Sequence, residues 1–289
     1  MTSRRDLLRL ALGAGLATVG MSACARAEDP GRTTTTPSTP GASTSGSLAP
    51  PEPVRTVTPD APVRRVVAMS SADLDVLLTL DHAPTAAWAA DGAGPRPWRE
   101  QPAPPAPEWS EAGPPSLRSL LPFGVDAFAM ASADVTESQL RAYERLGAVI
   151  VGPEGRPGWR DHLHLIADAV GADPAPADEA TGVVLEAWAE RQRRLGVEGF
   201  VVVIGTGADP DTAVATLAAD APLLAELRAL GFDAVTFPGP VVFRELRRPG
   251  VQVVRVDPRD GDLVAAVRQP SVSSLPWALD RLVRGRRPG

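Results

Sequence analysis

RRVVAMSSADLDVLLTL, residues 64–80, changes its hydrophobic period once, at the serine pair, and so sets the fold class. RRVVAM (64–69) is a short β-rich run. From Ser71 onward the apolar residues Leu74, Leu77, Leu78 and Leu80 recur at helical spacing. Ser71 is expected to cap that helix, with Asp73 near its positive end. Asp73 and Asp75 read as capping and solvated-face carboxylates. A strand that turns directly into a helix is the first half of a parallel βα unit.

The same alternation continues downstream. TAAWAA (85–90), VDAFAM (125–130) and AVIV (148–151) are strand candidates, and TESQLRAYERLG lies between the last two as a capped helix. PGWRDHLHLIADAVG and ADEATGVVLEAWAERQRRLG are two more helices, the second with Ala180, Val184, Trp188 and Leu195 near helical spacing. FVVVIG (200–205) then restarts the pattern, followed by APLLAELRALG as helix, AVTF and VQVVRV as strands, and LPWALDRLVRG as the last helix. The expected architecture is two Rossmann-like α/β lobes, 62–175 and 198–289, joined by a long helix at 176–197, with a ligand cleft between them.

The N-terminal sixty residues have a different character. SRRDLLR (3–9) carries an arginine pair and is followed by LALGAGLATVGMSA, an apolar stretch ending in small residues before Cys24. Residues 1–23 read as a twin-arginine secretion signal, too short to span a bilayer. Cys24 is the only cysteine. Its position fits lipidation, which would anchor the protein on the outer face of a membrane. It also excludes an internal disulfide and a cysteine zinc site. Residues 24–61, rich in Thr, Ser, Pro and Gly, read as a disordered tether.

Composition removes several chemistries. The net charge is −6, which argues against nucleic acid as a partner. All 29 basic residues are arginine, so lysine Schiff-base chemistry and the P-loop lysine are absent. Of the three histidines, His162 and His164 are two apart on a helix and point about 200° apart, so no metal site is expected. His82 follows a helix end, where a cation is favoured. GTGADP (205–210) lacks the third glycine of a dinucleotide loop. No nucleophile elbow and no catalytic carboxylate pair stand out, so binding without turnover is the expectation, with no cofactor.

Six tryptophans stand against one tyrosine, and Trp88, Trp98 and Trp109 fall within 22 residues of one another. In ADGAGPRPWRE (90–100), Arg96 and Arg99 flank Trp98. Together they read as an apolar plane with positive charge, suited to a flat anionic ligand.

At this point the chain resembles the iron-siderophore substrate-binding lipoproteins of ABC importers, the helix-linked class of periplasmic binding proteins. The likeness runs from about residue 62 to 285. It rests on the order of RRVVAMSSADLDVLLTL, GAGPRPWRE, PSLRSLLPFGVDAFAM, ASADVTESQLRAYERLGAVIV, PGWRDHLHLIADAVG, AADAPLLAELRALGFDAV and QPSVSSLPWALDRLV. It implies a monomer that grips a ferric siderophore or similar chelate between its lobes and delivers it to an ABC permease. The chelate supplies the iron ligands itself. The matching loops imply ligand contacts from Ser71, Trp88, Arg96, Trp98, Arg99, Ser132, Thr206 and Trp277. The family docks on its permease through a glutamate on each lobe. Here Glu245 matches the second-lobe position, and Arg118 reverses the charge at the first. The segment after VQVVRV is shorter than the family pattern. Two other readings stay open: a diverged sensory or accessory lipoprotein of the same fold, and a secreted enzyme.

Overall fold

In a computed structural model of the chain, residues 64–80 form strand β1 (Val66–Ala68) and helix α1 (Ser71–Thr79). The structure describes residues 63–89, 95–99, 113–131, 136–150, 157–205 and 213–284. The leader, Cys24 and the tether lie outside them. The cap of α1 is Ser70, one residue earlier than expected. Ser70 is still extended, and its Oγ accepts from the Asp73 backbone N–H at 3.0 Å while donating to Asp73 Oδ2 at 2.6 Å. This reciprocal Ser-x-x-Asp arrangement satisfies an otherwise orphaned helix donor. Ser71 becomes the first helical residue, and its hydroxyl is left for another partner.

The first lobe continues through β2 (Ala86–Ala87), the single turn α2 (Leu117–Leu120), β3 (Ala127–Ala129), α3 (Glu137–Tyr143), β4 (Ala148–Ile150) and α4 (Trp159–Val170). The four strands are all parallel, in the order β2-β1-β3-β4. α3 starts with a full capping box between Thr136 and Gln139. Gly147 lets β4 approach β3: a Cβ there would meet the Asp126 carbonyl oxygen at 2.8 Å.

The only tyrosine, Tyr143, lies on α3 at 3% exposure and donates its hydroxyl to the Pro115 carbonyl at 2.8 Å. Burial pushes its pKa up from 10 to about 12. The folded state therefore holds this proton longer than the unfolded chain, and stability falls as pH rises from about 10 towards 12. Tyrosinate absorbance at 295 nm is expected to stay near baseline between about pH 10 and 11 in the folded protein and to appear there on unfolding. Half-ionisation of the folded protein near pH 10 contradicts this.

Helix α5 (Ala175–Arg194) leaves the first lobe and runs about 30 Å. Its buried face is Leu185, Ala189 and Gln192, with Trp188 half-buried beside them. Val184 and Leu195, expected on that face, are instead 51% and 61% exposed. The reason is that Trp188 stacks on Phe200 and meets Phe232 edge-on, each at 5.6 Å, which sets the rotation of the helix.

The second lobe is built on β5 (Gly199–Ile204). The chain then passes through β6 (Ala213–Thr216), α6 (Pro222–Ala229), β7 (Asp233–Ala234), β8 (Val241–Val242) and a 3-10 turn at Phe243–Leu246. It ends with β9 (Val251–Val256), α7 (Gly261–Arg268) and α8 (Ser274–Arg284). β9 pairs in parallel with all six residues of β5. The other edge of β5 is shared: β7 runs parallel at Gly199 and Phe200, and β6 antiparallel at Val203 and Ile204. β8 extends the sheet from β6. The second sheet is thus mixed rather than purely parallel.

One apolar core runs through both lobes. Leu74, Leu163 and Ile166 of the first belong to the same buried cluster as Phe200, Leu223, Leu227 and Leu275 of the second. A polar tie reinforces it. The N-terminus of α4 has no side-chain cap of its own, and the Trp159 backbone N–H donates instead to Glu226 Oε1 on α6 at 2.8 Å. Burial pushes the Glu226 carboxyl up, against the pull of that N–H.

Candidate functional site

Every residue of α1 from Ser71 to Leu78 is buried, so the two carboxylates on this helix must find partners inside the protein. From the sequence they read as capping and solvated-face carboxylates. Asp73 takes His162 of α4: Nε2 and Oδ1 are 2.8 Å apart, and both side chains are at or below 1% exposure. Asp75 lies one turn after Ser71 and shares its face. The Arg99 Nε–H donates to Asp75 Oδ1 at 2.6 Å, and Oδ2 accepts from Trp98 Nε1 at 2.8 Å and from Ser271 Oγ at 2.7 Å. Arg99 Nη2 also donates to Ser71 Oγ at 2.6 Å and to the Ser71 carbonyl at 3.2 Å. Burial pushes the Asp75 carboxyl up, while Arg99 and the two neutral donors pull it back.

Residues 95–99 therefore form a strap. One side of the strap holds α1 through Arg99 and Trp98. The other side reaches the second lobe, where Arg96 Nη1 donates to Asp262 Oδ1 of α7 at 2.8 Å and the Trp98 ring lies 4.9 Å from that of Trp277 in α8. The Arg96 guanidinium also stands 5.8 Å from the Trp98 ring centre. α1 and α7 start just beyond the C-terminal ends of β1 and β9, so the strap marks where the strand ends of the two sheets meet. Open α/β sheets place ligands at such ends.

Of the residues expected at the site, Ser71, Arg96, Trp98, Arg99 and Trp277 come together here. Trp88 does not join them; it is half-buried at the end of β2 and packs against the Val67 and Phe128 cluster. Ser132, Thr206 and Cys24 lie outside the described residues. Arg118 on α2 and Glu245 on the 3-10 turn are exposed, one on each lobe.

The charge expected on the strap is already neutralised. The Arg99 and Asp75 side chains are 2% and 1% exposed, and Arg96 is 9% exposed against Asp262. A buried carboxylate costs several kcal/mol of solvation unless a cation accompanies it, and Arg99 fills that role. Asp75, Ser271 and Asp262 are the members of this network that sequence reasoning missed. Arg255 stands outside this network. It is the next-to-last residue of β9, lies 4.5 Å from the Phe243 ring centre, and has a buried Nε without a hydrogen-bond partner among the described residues.

His162 and His164 diverge, the first to Asp73 and the second to Asp178 at 2.9 Å. Among the described residues no group of three or more His, Cys, Asp and Glu is placed to hold a metal ion. No described helix is long and apolar enough to cross a membrane.

No protein-family model matches the chain, and no curated protein matches it. Solved structures do. A periplasmic solute-binding protein from Mycobacterium smegmatis aligns with a TM-score of 0.59 at 14% identity, over 80% of this chain and 95% of that one. The iron-uptake ABC transporter substrate-binding protein PiaA from Streptococcus pneumoniae gives a TM-score of 0.59 at 14% identity, over 77% and 92%. The structure of PiaA with ferrichrome gives 0.59 at 13% identity, over 78% and 92%. The chain has the two-lobed, helix-linked α/β fold of these solute-binding proteins.

Proposed function

We propose that the protein is an extracytoplasmic solute-binding protein that captures a ferric siderophore or similar iron chelate and hands it to an ABC importer. The observation that carries this reading is the strap: Arg96 and Trp98 tie the strand ends of one lobe to α7 and α8 of the other in a fold shared with solute-binding proteins. PiaA, of the same fold, has been solved with ferrichrome bound. Trp98 and Trp277 supply the apolar surface for the chelate. Arg255 supplies positive charge from the second lobe, and Arg96 adds more when it leaves its partly exposed partner Asp262. Ser132 and Thr206 supply the remaining contacts, and Ser71 and Arg99 hold the strap in place. A lipid on Cys24 and the tether of residues 24–61 hold the monomeric body at the membrane surface, where Arg118 and Glu245 face the permease.

Intrinsic tryptophan fluorescence, titrated with ferric hydroxamates, ferric catecholates, ferric citrate and haem, tests this. Saturable quenching by one class is expected. A flat response to all four contradicts chelate capture. It would favour the second reading, a diverged accessory lipoprotein, which is supported by the pairing of Arg96 and Arg99 with the protein's own carboxylates.

A further inference from the structure

The last strand of the second sheet has one neighbour. All six residues of β9 pair with β5, and among the described residues no strand lies along its other edge. The ladder shows which groups this leaves over. The Gly199 N–H donates to the Gly250 carbonyl at 3.2 Å at one end of it, and the Gly205 N–H to the Val256 carbonyl at 3.0 Å at the other. In a parallel ladder, alternate residues turn their backbone polar groups to the same neighbour. Gly250, Gln252, Val254 and Val256 therefore face β5, while Val251, Val253 and Arg255 face away from it. The Val251 N–H is taken by the Arg248 carbonyl at 3.1 Å. The N–H and C=O groups of Val253 and Arg255 have no backbone partner among the described residues.

A row of unpaired backbone groups is a template for a further strand, and proteins ordinarily keep such edges short. The other outermost strands here obey that rule: β2, β7 and β8 have two residues each and β4 has three. β9 has six, VQVVRV, with Arg255 as its single charge.

Gln252 points to the same missing neighbour. It is 3% exposed, and neither atom of its side-chain amide has a hydrogen-bond partner among the described residues. Such a buried amide gains most when a partner is supplied. A side chain on a strand added beside β9 would start about 5 Å from the Gln252 Cβ, within reach of that amide.

The start of the edge is positively charged. Arg247 and Arg248, in the turn that leads into β9, are exposed and outnumber Glu245 of the same turn. Neither arginine has a carboxylate partner among the described residues, and Arg248 lies 5.4 Å from the Phe237 ring centre.

We propose that the open edge of β9 is an interaction surface that takes an extended segment of another protein as an added strand. The segment carries a carboxylate at the end beside Arg247 and Arg248, and a hydroxyl side chain beside Gln252. Only an extended polypeptide repeats N–H and C=O groups at the spacing this edge presents. A second copy of β9 fits less well, because VQVVRV offers no carboxylate. The Arg255 side chain lies over the Phe243 ring at 4.5 Å, so strand addition uses its backbone and leaves its charge for the chelate.

Calorimetry and amide hydrogen exchange on the full chain test the edge. The probe is an acetylated, amidated octapeptide that alternates valine and threonine between terminal glutamates. Saturable binding is expected, with exchange of residues 251–256 slowed by the peptide. The same peptide with lysine in place of glutamate is expected to bind at least about threefold more weakly. Val253→Pro removes an outward N–H and leaves the ladder to β5 in place, and is expected to weaken binding at least about tenfold. Arg247→Gln combined with Arg248→Gln, which leaves the strand untouched, is expected to weaken it at least about threefold. Equal affinity for the lysine peptide overturns the proposal. So does unchanged affinity in either folded variant, or no saturable heat up to about 1 mM peptide. A dimer of the chain that Val253→Pro dissociates also overturns it, since the edge would then belong to a second copy. The probes carry no iron, so this outcome is independent of the chelate titration.

Discussion

Asp75→Ala is expected to lower stability by about 3–5 kcal/mol, read as a shift in the denaturant midpoint by circular dichroism. The carboxylate is the hub of the site: Arg99, Trp98 and Ser271 all donate to it, and it is 1% exposed. Its removal leaves the Arg99 guanidinium, itself 2% exposed, as a buried charge without its counterion. It also strands the Trp98 indole N–H, a further cost of about 1–3 kcal/mol if water does not reach it, whereas the Ser271 hydroxyl keeps Ser274 Oγ as an acceptor at 2.9 Å. Removing both charges is a different matter. Asp75→Leu combined with Arg99→Met is expected to recover most of the loss, because a buried pair replaced by apolar side chains of similar volume is often neutral. A loss below about 0.5 kcal/mol for Asp75→Ala contradicts the picture of a buried hub.

Trp98→Ala is the second large effect, at about 2–4 kcal/mol, somewhat under the cost of truncating a fully buried tryptophan because this ring is only partly buried. The substitution takes away the contact with Trp277, the hydrogen bond to Asp75 and the apolar link between α1 and α8 at once. Trp98→Phe separates these contributions. It keeps an aromatic ring against Trp277 but loses the N–H donor, and is expected to cost about 1–2 kcal/mol. If Trp98 also forms the ligand surface, Trp98→Ala weakens chelate binding by at least about tenfold, the range of interface hot spots. Equal stability of the Ala and Phe variants would mean that the ring contact with Trp277 contributes nothing.

Where local pattern and tertiary environment agreed, the fold was legible in the sequence. The change of period at Ser70–Ser71, the capping box at Thr136 and the apolar spacing of residues 159–170 and 275–284 located β1, α1, α3, α4 and α8. Elements that depend on partners were not legible. β6 and β8 are a four-residue and a two-residue strand whose pairing is decided by the free half-edge of β5. α7 was hidden because its cap, Asp260, sits in a Pro-Arg-Asp-Gly stretch that reads as a turn.

The site divided in the same way. Trp98 and its flanking arginines were visible as an unusual loop, but not that Arg99 answers a carboxylate 24 residues upstream. A signal was present: Asp73 and Asp75 interrupt a helix whose other residues are almost all apolar, and a helix apolar all round is a buried one. Carboxylates there demand partners, and an arginine-rich loop nearby was the obvious supply.

Calorimetric titration of the full chain with the ferric chelate that most strongly quenches its fluorescence, run beside Trp98→Ala, tests whether the protein captures a chelate at the strap. Saturable binding of one chelate per chain is expected, weakened at least about tenfold in Trp98→Ala. Equal affinity in the two proteins, or no saturable binding of any ferric chelate, contradicts it.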